Sequence, residues 1–330
     1  MMDIYESGLK YFSTLKTVDR WPELQQGFER MAAKKPRGWE LPVTAYEKVG
    51  GFSDSVIPAV VAFGCMQMSI ILIDDMLDED PRGMHNNIGE AQTANLATAY
   101  HAAGQQAIAQ SDADETVKLY AQARINFMML KTGLGQMMDI QNPQSEEGYW
   151  TMVQTKSSPF YSAALYVGAL YGNANDELSN QIKLFGNLYG EMIQIHDDLG
   201  DTMARPAGPD WIQRRFPLPI LFAHVVDHPD RDRFLELREN AADPTALEEA
   251  QLILIRCGAV SYCLEQVVER YRTMKMLLDE MDVIDNTGFE YLLYELVHPI
   301  IELVLDIGAE LPAELQAIDR EKALINRGEL

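Results

Sequence analysis

The sequence predicts one all-α domain over residues 1–330, on three observations. Apolar residues recur at spacings of three and four over segments of roughly 15–30 residues. Alternating strand patterns are scarce. Gly/Pro punctuation is brief, confined to 34–38, 80–83, 142–148, 172–175, 204–209 and 240–244. No internal repeat, low-complexity tract or linker interrupts the chain.

The elements follow in order. The opening MMDIYESGLKYFSTLK carries early acids and no long apolar core, so it does not resemble a signal peptide. Residues 56–73 are 18 largely apolar residues, the lower limit for a membrane span. They include Pro58, Gly64, Gln67 and Ser69 and run straight into Asp74-Asp75, so a buried core helix and no transmembrane segment is expected. Residues 90–110 and 113–140 predict long helices rich in Ala, Gln, Leu and Met, and 149–171 and 176–199 continue in the same style. Asp243 predicts an N-cap, with Pro244 in the first turn and acids soon after.

With 47% hydrophobic and 23% charged residues the composition is globular. Fifty acidic against 27 basic residues leave a net charge of −23, which repels nucleic acid and anionic lipid. A small anionic ligand would need clustered cations or metal ions. Cys65, Cys257 and Cys263 sit in apolar runs without CxxC or CxxH spacing, as expected of reduced, buried thiols in an intracellular protein.

Two acidic clusters stand out: Asp74-Asp75-Met76-Leu77-Asp78, and Asp197-Asp198-Leu199-Gly200-Asp201. Each is DDxxD and each closes a long apolar helix. Residues i and i+4 share a helix face, so Asp74 points with Asp78, and Asp197 with Asp201. Like charges one turn apart are unfavourable alone, and a hard divalent cation offsets them. Mg²⁺ takes one or two carboxylates from a protein and fills the rest of its shell with water and phosphate oxygens. Neither cluster has the DxDxDG spacing of a calcium loop. A solvated acidic helix end explains one cluster as well as a metal does, but two copies about 120 residues apart are harder to explain so. A phosphohydrolase built on His196-Asp197 would want several His ligands, and the other histidines have no such spacing.

The ordered set of motifs resembles the trans-isoprenyl diphosphate synthases, which share their fold with class I terpene cyclases. The likeness runs roughly from Lys34 to Ala223. It comprises IDDMLDEDPRG, Gly135-Gln136-Met137-Met138-Asp139 for the family GQxxD, Lys156-Ser157 for Lys-Thr, Gln194 to Asp201, and Arg215 ahead of Pro217-Leu218-Pro219. This resemblance implies a bundle of ten or more helices around a central apolar cavity, with both Asp motifs at its mouth. It implies Mg²⁺ as three ions, with Mn²⁺ as a substitute, held by Asp74, Asp78 and Asp197. Asp75, Asp198 and Asp201 would bind metal water or orient that shell. Lys156 and Arg215 would contact the allylic diphosphate, Gln194 and Asp139 would support or steer the carbocation side, and Gln136 would bind substrate.

For the second substrate, isopentenyl diphosphate, the resemblance implies Lys34, Arg37, Gln67 and Arg82. The family's Gly-Gly is here Ala32-Ala33, and its Arg-Arg-Gly is Pro81-Arg82-Gly83. The small Ser69, five residues before Asp74, with Cys65 and Met66 a turn below, implies room for products of C15 to C25 or longer. The implied protein is a cytoplasmic homodimer that lengthens an allylic prenyl diphosphate. Two alternatives stay open: a terpene cyclase or a prenyltransferase to another acceptor, and a non-catalytic prenyl-lipid-binding or regulatory subunit.

Overall fold

The computed structural model describes residues 3–318. Among them sixteen α-helices and three 3₁₀ turns form, and no strand. The all-α expectation is met, and its ten or more helices with it. Their boundaries follow local chemistry. Helix α1 (Ile4–Ser13) starts where the Asp3 carboxylate accepts from the Tyr5 and Glu6 amides, satisfying donors the helix cannot. Proline opens α2 (Pro22–Ala32) and lies in the first turn of α3 (Leu41–Lys48) and α4 (Ile57–Leu77), where its missing N–H costs nothing. Then come α5 (His85–Ile88), α6 (Glu90–Ala109) and α7 (Glu115–Ile140). Ser145 caps α8 (Glu146–Lys156), followed by α9 (Ser158–Tyr171), α10 (Asp176–Met203), α11 (Pro209–Ile212), α12 (Leu218–Val225) and α13 (Arg231–Glu239). Asp243 caps α14 (Pro244–Arg256), as its sequence predicts, by accepting from Thr245 and Ala246. Helices α15 (Ala259–Glu280) and α16 (Thr287–Asp306) complete the set.

The chain divides into two compact units. One comprises Met1–Gln136, Ser158–Asn187 and Glu280–Phe289; the other Met137–Ser157, Leu188–Asp279 and Glu290–Leu330. In the first, α4 is apolar all round because it is covered on every side. It packs on α6, α1, α2 and α9. Each fully buried Val, Ile or Phe here contributes roughly 1.5–3 kcal/mol. The α4–α6 approach depends on Gly104: a Cβ there would lie 2.4 Å from Met66 Cε and 3.0 Å from the Ala62 carbonyl. The rings of Phe12, Phe28 and Trp39 stack in series beside α4, with centroids 4.1 and 4.6 Å apart. One helix, Asp54–Leu77, is long and apolar enough to cross a membrane, and 78% of its window is buried in the protein. In the second unit α12 packs on α8, α13 and α14.

Two boundaries and one burial differ from the sequence reading. The expected helix over 149–171 is two helices, broken at Ser157. Pro159 has no N–H to return to the Thr155 carbonyl, so the ladder is interrupted there. Helix α10 runs on to Met203, so the second DDxxD lies within the helix rather than closing it. Cys257, expected to be buried, is only half-buried, beyond the end of α14, while Cys65 and Cys263 are buried.

Candidate functional site

In the first unit α4 delivers the first acidic motif. Asp74 and Asp75 form its last turn and Asp78 is its C-cap. The chain then leaves through a Schellman turn: Glu79 is left-handed at φ 53°, and the Asp80 amide donates to the Asp75 carbonyl at 2.9 Å. Carboxylates at a helix C-terminus oppose the helix dipole. Burial pushes the Asp75 carboxyl up, and the charges of Asp80 and Asp74 add to that. Gln136, buried on α7, donates from Nε2 to Asp74 Oδ1 at 3.3 Å, which brings the GQxxD glutamine onto the first motif. Crowded carboxylates of this kind, Asp75 partly buried among them, fit a hard divalent ion. Among the described residues no three His, Cys, Asp or Glu side chains form a ready-made cage. Mg²⁺, which keeps waters and phosphate oxygens, does not require one.

The residues expected on isopentenyl diphosphate divide. Trp39 Nε1 donates to Gln67 Oε1 at 3.0 Å, which fixes the amide with its NH₂ end turned away from Trp39. The turn carrying Lys34 and Arg37, both exposed, passes close by: a Cβ on Gly38 would be 3.8 Å from Gln67 Nε2. Arg82 is engaged locally instead. Its guanidinium forks onto Asp80, with Nε–Oδ1 3.1 Å and Nη2–Oδ2 2.8 Å, and its side chain is 85% exposed. This fork holds the Asp80 carboxyl below its ordinary range. Sequence reasoning missed His85, whose ring lies over Gly83 beside Asp75 with a buried, unpartnered Nδ1.

In the second unit α10 carries Gln194, Asp197, Asp198 and Asp201. Asp197 and Asp201 are exposed, four residues apart on one face. Asp197 Oδ1 lies 3.1 Å from His196 Nδ1. Asp198, expected to bind metal water or orient the metal shell, is held by the protein itself. It is buried, and both its oxygens are taken by protein donors: Gln194 Nε2 at 2.7 Å, Tyr149 Oη at 2.8 Å and the Leu218 amide at 2.7 Å. Burial pushes its carboxyl up to about 7, although the three donors pull the other way. It fastens α10 to α8 and to the start of α12.

The break at Ser157 feeds the same network. Ser157 Oγ donates to Gln194 Oε1 at 2.5 Å, and Gln194 passes its own N–H to Asp198. Next to it, Lys156 Nζ lies 2.6 Å and Arg215 Nη1 3.2 Å from one oxygen of Asp139. Thus Asp139, Lys156 and Arg215 meet, and hydrogen bonds join their segments to the second motif.

Helix α15 forms a buried ion pair with α10. Arg270 Nε on α15 donates to Glu191 Oε2 on α10 at 2.7 Å, and Gln154 Nε2 on α8 reaches Glu191 Oε1 at 3.1 Å. The guanidinium lies 4.0 Å from the centre of the Trp150 ring.

Comparison with known proteins places this geometry. Residues 40–254 match the family model described as polyprenyl synthetase. The chain is 25% identical over 255 residues to a geranylgeranyl diphosphate synthase of Methanosarcina mazei, covering 72% of this chain and 76% of that protein. It is 24% identical over 261 residues to a short chain isoprenyl diphosphate synthase of Methanothermobacter thermautotrophicus, covering 74% and 80%. A geranylgeranyl pyrophosphate synthetase structure from Geoglobus acetivorans superposes with TM-score 0.74 at 19% identity over 90% of this chain and 95% of that one. A decaprenyl diphosphate synthase from Rhodobacter capsulatus gives 0.77 at 16% identity over 91% and 95%.

Proposed function

This chain belongs to the polyprenyl synthetase family, and from that premise we propose that it joins an allylic prenyl diphosphate to isopentenyl diphosphate, giving a trans-prenyl diphosphate longer by five carbons. The observation that carries the reading is the wiring of the second motif. Ser157, Gln194, Asp198 and the Leu218 amide form one hydrogen-bonded chain, and two cations, Lys156 and Arg215, flank it on Asp139. That arrangement suits a leaving group that gains negative charge.

Ionisation breaks the allylic C–O bond and leaves pyrophosphate. The double bond of isopentenyl diphosphate captures the cation through a new C–C bond, and a proton departs from the adduct to restore neutrality. Pyrophosphate can take that proton, so no catalytic histidine is required. Lys156 and Arg215 would stabilise the charge that builds on the departing oxygens. Asp139 pairs with both of them. Gln194, oriented by Ser157 and Asp198, would present its amide dipole toward the cation side. Asp74, Asp78 and Asp197, helped by Asp75 and Asp201, would hold Mg²⁺, three ions by family resemblance, with Mn²⁺ able to substitute. Bound Mg²⁺ would supply Lewis-acid neutralisation of the pyrophosphate oxygens. Lys34, Arg37 and Gln67 would receive isopentenyl diphosphate.

One observation favours a second reading, cyclisation or transfer to another acceptor: Arg82 is already forked onto Asp80. Incubating the protein with labelled isopentenyl diphosphate and geranyl, farnesyl or geranylgeranyl diphosphate separates the two. Labelled longer diphosphates support elongation; unlabelled hydrocarbon or alcohol replaces it with the second reading.

Product length of C15 to C25 rests on Ser69, a small side chain buried on α4. Ser69→Phe would narrow the space beneath Asp74, and the longest product is expected to shorten by at least one isoprene unit. An unchanged product ladder by chromatography removes this floor.

A homodimer is supported by α7. Tyr120, Ala123, Phe127, Leu130 and Leu134 follow the alternating four- and three-residue spacing of a helix–helix seam and are exposed, Leu130 to 76%. Light scattering should give the mass of two chains; a mass near 37.2 kDa would remove the dimer. The buried thiols Cys65 and Cys263 support a reducing, cytoplasmic location.

A further inference from the structure

Arg238, near the C-terminus of α13, is only 6% exposed, yet its guanidinium is committed to main-chain carbonyls and not to a carboxylate. Burying a cation without an acid is costly, so such a residue needs a reason to be there. Burial pushes its pKa down to about 10, which leaves it charged at neutral pH.

Its contacts fall on one short segment. Nη2 donates to the Arg214 carbonyl at 2.6 Å and to the Arg215 carbonyl at 2.7 Å. The guanidinium centre lies 3.9 Å from the centre of the Phe216 ring, which in turn meets His224 edge-on at 4.8 Å. The backbone here is not one the chain would choose alone. Arg214 is left-handed at φ 56°, a conformation that costs a non-glycine residue roughly 1–2 kcal/mol. Other groups hold the same stretch. Asn142 Nδ2 donates to the Arg214 carbonyl at 3.0 Å, the Arg215 amide donates to the Asp210 carbonyl at 2.8 Å, and the Leu218 amide donates to Asp198. Glu239 pairs with the Arg214 guanidinium at 2.6 Å and is the acid whose charge also acts on Arg238.

We propose that Arg238 is a positioning residue for the leaving pyrophosphate: it locks residues 214–216 so that Arg215 is presented in one geometry, and it adds a positive charge beside the Arg215 main chain. In a chain of net charge −23, local concentration of cations is one way the protein alone can attract an anion. The proposal rests on the elongation reading above, because that reading puts pyrophosphate at Arg215.

The test uses the full chain and two readouts. Magnesium pyrophosphate binding is measured by calorimetry, and steady-state kinetics are measured with farnesyl and isopentenyl diphosphates. Arg238→Met is expected to weaken pyrophosphate binding about tenfold, as for loss of a charge-assisted contact, and to lower kcat by a similar factor while the KM for isopentenyl diphosphate stays put. In an Arg215→Ala background the same exchange should change binding by less than about twofold, since the two act in series. Arg238→Lys, which keeps the charge and one carbonyl bond, should recover most of the binding and serves where Arg238→Met does not fold. Wild-type binding in Arg238→Met, or an equal loss with and without Arg215, overturns the proposal, as does Arg238→Lys binding no better than Arg215→Ala. A wild-type protein that turns over no allylic diphosphate would instead remove the elongation reading, and the pyrophosphate titration would still decide the role of Arg238.

Discussion

Exchange of Asp74 for asparagine is expected to lower turnover of an allylic diphosphate about 10²–10³-fold, the usual cost of removing one preorganised electrostatic partner, while leaving the fold slightly more stable. The two effects have one cause. Asp74 lies in the last turn of α4, where a negative charge opposes the helix dipole by roughly 0.3–1 kcal/mol. It also helps to keep the neighbouring Asp75 carboxyl above its ordinary range, after burial and Asp80. A carboxyl raised in the folded state holds its proton to higher pH than the unfolded chain does. Stability is therefore greatest below the unfolded pKa and declines as pH rises through the folded one. Asparagine keeps an Oδ1 for the Gln136 amide, now at 3.3 Å. It removes the charge that strains Asp75, so the decline with pH should become shallower. Thermal melting at pH 5 and pH 8, run beside product assays, checks both halves. Undiminished turnover, or a melting point lowered by several degrees, contradicts this role for Asp74.

The largest loss of stability is expected from Arg270→Met. The pair it breaks is buried on both sides, with side-chain exposures of 11% for Arg270 and 8% for Glu191. Removing one member of such a pair strands the other charge, at a cost of roughly 3–5 kcal/mol. Little can compensate. Glu191 would retain only Gln154, at 3.1 Å, and the Trp150 face would lose the guanidinium 4.0 Å away. Replacing both charges is another matter, because a buried pair gives little net stability over well-packed apolar side chains. Glu191→Leu combined with Arg270→Met should therefore recover most of the loss, a coupling that a double-mutant cycle by urea denaturation measures directly. A single variant within about 1 kcal/mol of wild type, or a double variant no better than the single, would show that the pair is not the clamp described here. Activity should follow stability in the single variant. Glu191 lies one turn before Gln194 on α10, and Gln154 lies two residues before Lys156.

Local patterns carried much of this. The Asp243 cap, the apolar run of α4 ending on two aspartates, and the i, i+4 pairing of Asp197 with Asp201 are all properties of a few adjacent residues, so spacing alone exposes them. The split at Ser157 was missed although Pro159 announced it, because the apolar period continues through the break and hides it. Arg238 and Arg270 were missed because neither sits in a motif; an isolated arginine on an amphipathic helix gives no sign of what it meets.

From sequence, then, came the helical class, the two carboxylate pairs, and the cations Lys156 and Arg215 that accompany the second pair. Folding decided how those groups are used. Asp198 turned inward because Tyr149 and the Leu218 amide, 49 and 20 residues away, arrive to meet it. Lys156 and Arg215 share one carboxylate because Asp139 lies 17 residues before the first and 76 before the second. The reason is physical: helical spacing sets which residues share a face, but burial and hydrogen-bond partners come from segments that only the packed chain brings together.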